Sequence, residues 1–229
     1  MSLLILLPTL HERENLTALI PEIFKHVPDA MILIADDHSQ DGTSALARDR
    51  VVVLDRLTDH GYGKAVMDGF RWAIEHKIDR LVTMDADFSH DPSLLPALIE
   101  ALNDSDVVVG SRYVAGGMIA NWNWYRRLLS RFANWYVRFL LGVPISDITT
   151  GYTAYRIPVI KELVASRIHA EGYSFLVACK YLMHRAKFRI REIPITFYDR
   201  REGSSKMSWK IIWESIWLPW RLRFARLKE

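Results

Sequence analysis

Asp85 and Asp87 stand two residues apart, with Ala86 between them, directly after the apolar run 80–84. Two carboxylates at i and i+2 beyond a hydrophobic strand can face one divalent cation together. Mg²⁺ and Mn²⁺ prefer oxygen ligands and bridge carboxylates to a pyrophosphate. Such an ion would stabilise charge on a departing diphosphate. Taken alone, the pair reads better as two solvated acids at a turn. Its position favours the metal, because polar clusters also follow three other apolar runs: Pro8-Thr9, Asp36-Asp37 and Ser111-Arg112. Within DDHSQDGT (36–43), Asp37 reads as facing a base or ribose, while Ser39 or Asp41 would cap the next helix. Arg112 offers a planar fork suited to phosphate, with a salt bridge as the alternative. RREGSSK (200–206) is a basic loop in which Arg200 and Lys206 can clamp one diphosphate and Gly203 permits hinge motion.

Periodicity shows the elements that must bring these residues together. Apolar runs at 3–7, 30–35, 51–54, 80–84 and 107–110 read as strands buried on both faces. Between them, 12–26 and 61–75 have helical spacing, 39–48 leads into a helix, and Asp91-Pro92 opens another. This alternation predicts an α/β domain whose mostly parallel sheet carries helices on both faces. In such a sheet ligands sit outside the carboxyl ends of the strands, where the polar clusters would gather. Further on, 121–141 and 174–184 read as helices, and 151–156 and 188–198 as strands. Residues 206–228 read as a helix broken or bent near Pro219.

The 229 residues, half of them hydrophobic, suit one sizeable domain or one domain with a short appendage. The lone Cys179 excludes an internal disulfide framework and reads as a packing residue, which fits a reducing compartment. No run reaches the roughly 18 apolar residues that span a bilayer. Residues 1–10 lack the basic flank and cleavage site of a signal peptide and read as a buried first strand.

Charge is uneven although the net is only +3. No acidic residue lies between Asp106 and Asp147, a stretch that holds Arg112, Arg126, Arg127, Arg131 and Arg138. Seven of the eight tryptophans fall in 122–135 and 209–220, both basic segments. Core packing would explain such stripes, but Trp and Tyr among Arg and Lys also describe helices lying in a lipid headgroup layer.

Together these segments resemble the inverting family 2 glycosyltransferases of GT-A (Rossmann-like) fold, and more narrowly the polyprenol (dolichol) phosphate mannosyltransferases. The resemblance rests on PTLHERENL (8–16), ADDHSQDGT (35–43), HGYGKA (60–65), MDADFSHDP (84–92), VGSRYVAGG (109–117), DITTGYTAYR (147–156), EGYSFLV (171–177) and EIPITFYDRREGSSKM (192–207). It implies mannose transfer from GDP-mannose to a polyprenyl or dolichyl phosphate, with Mg²⁺ or Mn²⁺. Pro8, Leu10, Glu12, Ala35 and Asp37 would line the nucleotide. Asp85, Ala86 and Asp87 would hold metal and diphosphate. Arg112, Arg200 and Lys206 would bind phosphates, and Arg126 and Ser130 the lipid phosphate. Asp85, Asp87 and Arg200 would be the catalytic set. Leu10 departs from a usual aromatic residue, His38 from a common glycine, and Ser89 from a glutamine that serves some relatives as a metal ligand.

The implied organisation is a catalytic domain, 1–205, and an amphipathic interface segment, 206–229. It would be peripheral on the cytoplasmic face of a membrane, in some relatives with a small anchoring subunit. A UDP-glucose donor keeps the same chemistry. A nucleotidyltransferase would need a glycine-rich loop after the first strand, which Pro8-Thr9-Leu10-His11 lacks. The acidic strand ends speak against a nucleic-acid partner, and the intact Asp85, Asp87, Arg200 and Lys206 against a non-catalytic scaffold.

Overall fold

A computed structural model describes residues 1–166, 168, 170, 172–199 and 209–224, without the side chains of 173 and 209–215. In chain order the strands are β1 (Leu3–Thr9), β2 (Met31–Asp36), β3 (Val51–Asp55), β4 (Arg80–Thr83), β5 (Val107–Ser111), β6 (Met118–Ile119), β7 (Thr153–Arg156), β8 (Ile190–Pro194) and β9 (Thr196–Phe197). The helices are α1 (Arg13–His26), α2 (Tyr62–Glu75), α3 (Leu95–Ala101), α4 (Trp124–Leu141), α5 (Ile157–Ala165), α6 (Gly172–Arg185) and α7 (Trp209–Phe224).

Among the described residues, one sheet has the order β3-β2-β1-β4-β7-β5-β8, and β6 pairs with β9 separately. Within the larger sheet only β7 runs antiparallel to its neighbours, β4 and β5. Alternation along β1 shows why the sheet is covered twice. Leu4 and Leu6 enter a core shared with α2, α5 and α6, whereas Ile5 and Leu7 enter one shared with α1 and α3. All four are fully buried, each contributing roughly 1.5–3 kcal/mol from burial. The expected α/β architecture, mostly parallel with helices on both faces, is the one observed.

Three local expectations differ. The helix read from 39 to 48 is only a 3₁₀ turn, Thr43–Leu46. Ser39 gives both its backbone N–H and its hydroxyl to Asp36, and Thr43 does the same to Asp41. Such local side-chain bonds compete with helical ones. The single strand read over 188–198 is divided into β8 and β9, which belong to different sheets. Finally, α7 runs through Pro219; Leu218 and Pro219 are buried, and the helix packs on α4 and α6, so packing holds the turn despite the missing backbone donor.

Candidate active site

Because β1, β2, β4 and β5 share one direction, their carboxyl ends lie along one edge. The antiparallel β7 begins at that same edge, so Asp147–Tyr152 meets the end of β4. Asp85 follows β4 directly. Its backbone N–H donates to His90 Nδ1 at 3.0 Å. His90 is buried and stacks on Tyr152 at 4.8 Å. Burial pushes the imidazole pKa below its ordinary 6.5, outweighing the attraction of Asp85 and Asp87. The ring is therefore neutral at neutral pH, with Nδ1 as acceptor.

Asp87 is buried, and its Oδ1 accepts the Ser89 N–H at 3.0 Å. Ser89 Oγ lies buried beside it with no hydrogen-bond partner. Two carboxylates and an orphaned hydroxyl are hard oxygen donors, a set that fits Mg²⁺ or Mn²⁺ better than a soft metal. Among the described residues no three His, Cys, Asp or Glu side chains form a metal cage. A cation here would complete its shell with phosphate oxygens and water.

On the β1–β2 side two of the expected residues are engaged within the fold. Ala35 is wholly buried in register with Pro8, with its side chain in the core and only its backbone near the edge. Asp37 is held from within: Oδ1 takes the Arg56 guanidinium and Oδ2 accepts the Gly61 N–H at 2.7 Å. Arg56 was not singled out by the sequence; its one signal is a lone arginine immediately after β3. It is buried, and it also binds Asp68 at 2.8 Å and the Asp59 carbonyl at 2.8 Å. Pro8 and Glu12 are half-buried at the end of β1 and the start of α1, flanking Leu10.

Arg112 is buried, and its Nε and Nη2 lie on Asp147 at 2.7 and 2.8 Å. Burial would raise the Asp147 carboxyl, but the Arg112 guanidinium and its hydrogen bonds hold it below its ordinary value. Two guanidinium groups approach the Trp122 ring, that of Arg112 at 5.8 Å and that of Arg126 at 4.5 Å. Arg126 pairs with Asp199 at 3.0 Å, and Ser130 Oγ accepts from the Tyr113 hydroxyl at 2.6 Å. This cluster joins the carboxylates through rings. Phe197 lies 5.6 Å from His90 and 5.5 Å from Trp122. Tyr198 N–H donates to the Ser89 carbonyl at 3.2 Å. Arg200 and Lys206 lie outside the described residues.

The loop 146–151 is fixed by side chains from four elements and by Arg112, just past β5. Glu192 accepts the Ser146 and Asp147 N–H groups, and Asn134 Oδ1 accepts that of Ile148. Arg112 holds the Asp147 carboxylate, Lys180 Nζ donates to the Thr150 carbonyl at 2.7 Å, and Thr83 Oγ1 donates to that of Gly151 at 2.6 Å. Burial lowers the Lys180 pKa from 10.5 to about 8 against the attraction of Asp147. The cost of burying this ammonium is therefore present below pH 8 and fades as pH rises toward 10.5. Across that window, urea unfolding of the wild type should gain roughly 2–3 kcal/mol relative to Lys180→Met. Parallel pH dependences would show the ammonium to be better solvated than its burial implies.

The profile of glycosyl transferase family 2 matches residues 4–164. The chain is 42% identical over 230 residues to polyprenol monophosphomannose synthase of Mycolicibacterium smegmatis, covering 96% of this chain and 87% of that one. It is 41% identical over 222 residues to undecaprenyl-phosphate mannosyltransferase of Micrococcus luteus, covering 94% and 91%. A crystal structure of glucosyl-3-phosphoglycerate synthase from Mycobacterium tuberculosis with Mn²⁺, UDP and phosphoglyceric acid superposes with a TM-score of 0.70 at 20% identity, over 95% of this chain and 78% of that one. At that identity the likeness is one of fold. The chain belongs to glycosyl transferase family 2 and is a glycosyltransferase of GT-A fold. Within that family it groups with the polyprenyl-phosphate mannosyltransferases.

Proposed function

We propose that the chain transfers mannose from GDP-mannose to a polyprenyl phosphate at a membrane surface, using Mg²⁺ or Mn²⁺. The observation that carries this reading is a juxtaposition. The Asp85–Asp87 pair connects, through His90, Phe197 and Trp122, to a basic cluster at the root of a helix whose outer face is aromatic. The names of the two bacterial relatives support polyprenyl phosphate and mannose. Metal use is supported by the oxygen donor set and by the Mn²⁺ in the glucosyl-3-phosphoglycerate synthase structure.

Asp87, Asp85 and Ser89 would hold the cation, which when bound neutralises the donor diphosphate and the leaving group. A lipid phosphate is already anionic near neutral pH, so no strong general base is required. What the chain must supply is alignment for in-line attack on the anomeric carbon, and relief of repulsion between two phosphates. Arg126 and Ser130, one turn apart on α4, would meet the acceptor phosphate. Arg200 and Lys206 would close over the donor diphosphate. Pro8, Leu10, Glu12 and Asp37 would border the nucleotide.

No described helix is long and apolar enough to cross a membrane. Instead α4 buries Asn134, Val137 and Leu141 and exposes Trp124, Tyr125, Leu128, Leu129, Phe132, Trp135 and Phe139. On α7, Trp217, Trp220 and Phe224 are exposed as well. An apolar aromatic face beside arginines suits an anionic headgroup layer. The protein should float with phosphatidylglycerol vesicles at low salt, and a Trp124→Ser, Phe132→Ser, Trp135→Ser, Phe139→Ser variant should stay behind. A wild type that ignores such vesicles contradicts the membrane part of the proposal. The transfer itself is tested by mass spectrometry of the lipid fraction after incubation with GDP-mannose, Mn²⁺ and polyprenyl phosphate.

A further inference from the structure

Arg56 follows β3 on the edge where Asp37 follows β2. It is buried, and a guanidinium is costly to bury unless its donors are paired. Here each arm of the fork has its own partner. Nη1 donates to Asp37 Oδ1, Nε to Asp68 on α2 at 2.8 Å, and Nη2 to the Asp59 carbonyl at 2.8 Å. The backbone is pinned as well. The Arg56 N–H donates to the Asp36 carbonyl at 2.8 Å, and the Arg56 carbonyl accepts from His60 Nε2 at 2.9 Å. The arginine therefore cannot leave Asp37 without undoing the turn that leads into α2.

The two acids at the end of β2 find different partners. Asp36 closes on neutral donors nearby, the backbone N–H and hydroxyl of Ser39. Asp37 is reached instead by a buried cation from beyond the next strand. Its Oδ1 takes Arg56 and its Oδ2 the Gly61 N–H. Gly61 presents that N–H at a φ of 132°, a conformation open to glycine. The Asp37 N–H is tied in turn to the carbonyl of Thr9, the last residue of β1, at 3.0 Å. Backbone and carboxylate are thus both fixed where the β1 and β2 ends meet.

An ionised carboxylate has about four acceptor sites, so two bonds leave Asp37 with capacity for a ligand. A ribose hydroxyl or a base N–H is the kind of donor that would take it, whereas a phosphate oxygen would be repelled. We propose that Arg56 is a positioning residue of the nucleotide site: through Nη1 it fixes the Asp37 carboxylate as an acceptor for the ribose or base of the donor. This rests on the reading of Asp37 as a nucleotide contact.

The test is calorimetric titration of GDP, with Mn²⁺, into wild type, Asp37→Asn, Arg56→Met, Arg56→Lys and both double variants, with thermal melts. Arg56→Met should weaken GDP binding about tenfold, one hydrogen bond's worth. In the Asp37→Asn background it should do so by no more than about twofold, because Arg56 acts through that carboxylate. Arg56→Lys keeps the charge and guards against a Met variant that does not fold. It should weaken GDP binding about threefold, since one ammonium cannot replace a fork on three partners, and that loss too should vanish with Asp37→Asn. In steady-state transfer the effect should fall on the KM for GDP-mannose, with kcat within about twofold and the KM for polyprenyl phosphate unchanged. Wild-type GDP affinity in the folded Arg56 variants, or equal losses in the two Asp37 backgrounds, overturns the inference while leaving the nucleotide site standing. Wild-type affinity in Asp37→Asn, or a wild type that binds no GDP, overturns the reading of Asp37 itself, and the inference with it.

Discussion

Asp87→Ala should lower kcat/KM for sugar transfer by roughly 10²- to 10³-fold, with the larger share in kcat. The carboxylate is buried at the end of β4 beside the partnerless Ser89 hydroxyl. On the proposed reaction, removing it takes away a hard donor where charge would develop on the leaving diphosphate. The fold should survive, because β4 ends at Thr83 and is paired on both sides by β1 and β7. Steady-state kinetics across a Mn²⁺ titration, with a thermal melt, separates the effects. A variant within tenfold of wild type at saturating metal would remove the cation from the end of β4.

Arg112→Ala should cost about 3–5 kcal/mol of folding stability, because it leaves Asp147 as an uncompensated buried charge. Asp147 is fully buried and takes three hydrogen bonds from Arg112: from the backbone N–H, Nε and Nη2. Arg112→Met combined with Asp147→Leu should recover most of the loss, since removing both charges is far less costly than removing one. Urea unfolding measures both variants. A phosphate-gripping Arg112 predicts the opposite pattern: near-native stability, with a large rise in substrate KM.

The sequence disclosed the fold well wherever apolar runs were continuous. β1 to β5 and the two long helices between them appear within a residue or two of their expected bounds, because strands buried on both faces need unbroken apolar side chains. It disclosed less where local hydrogen bonding competes with periodicity, as in the 3₁₀ turn after Asp41. It also missed α5, which follows β7 without an intervening turn and begins at Ile157-Pro158. For the site, sequence placed Asp85 and Asp87 on the edge, but it could not show which polar groups satisfy one another. Arg112 and Asp147 are 35 positions apart, Lys180 and Thr150 30, and Asp37 and Arg56 19. Those pairings exist only because β7 folds back antiparallel and β3 lies beside β2. The aromatic face of α4 was ambiguous in sequence between core and interface. Its exposure in the fold decides against core packing, for the physical reason that its opposite face already supplies Asn134, Val137 and Leu141 to the interior.

The most direct measurement offers labelled GDP-mannose and UDP-glucose in parallel, with Mn²⁺ and a short polyprenyl phosphate, to the wild type and to Asp87→Ala. The expected result is metal-dependent lipid-linked mannose from GDP-mannose alone, lost in the variant. Product from UDP-glucose in its place, or mannose transfer that persists in Asp87→Ala, would contradict the proposed reaction at this site.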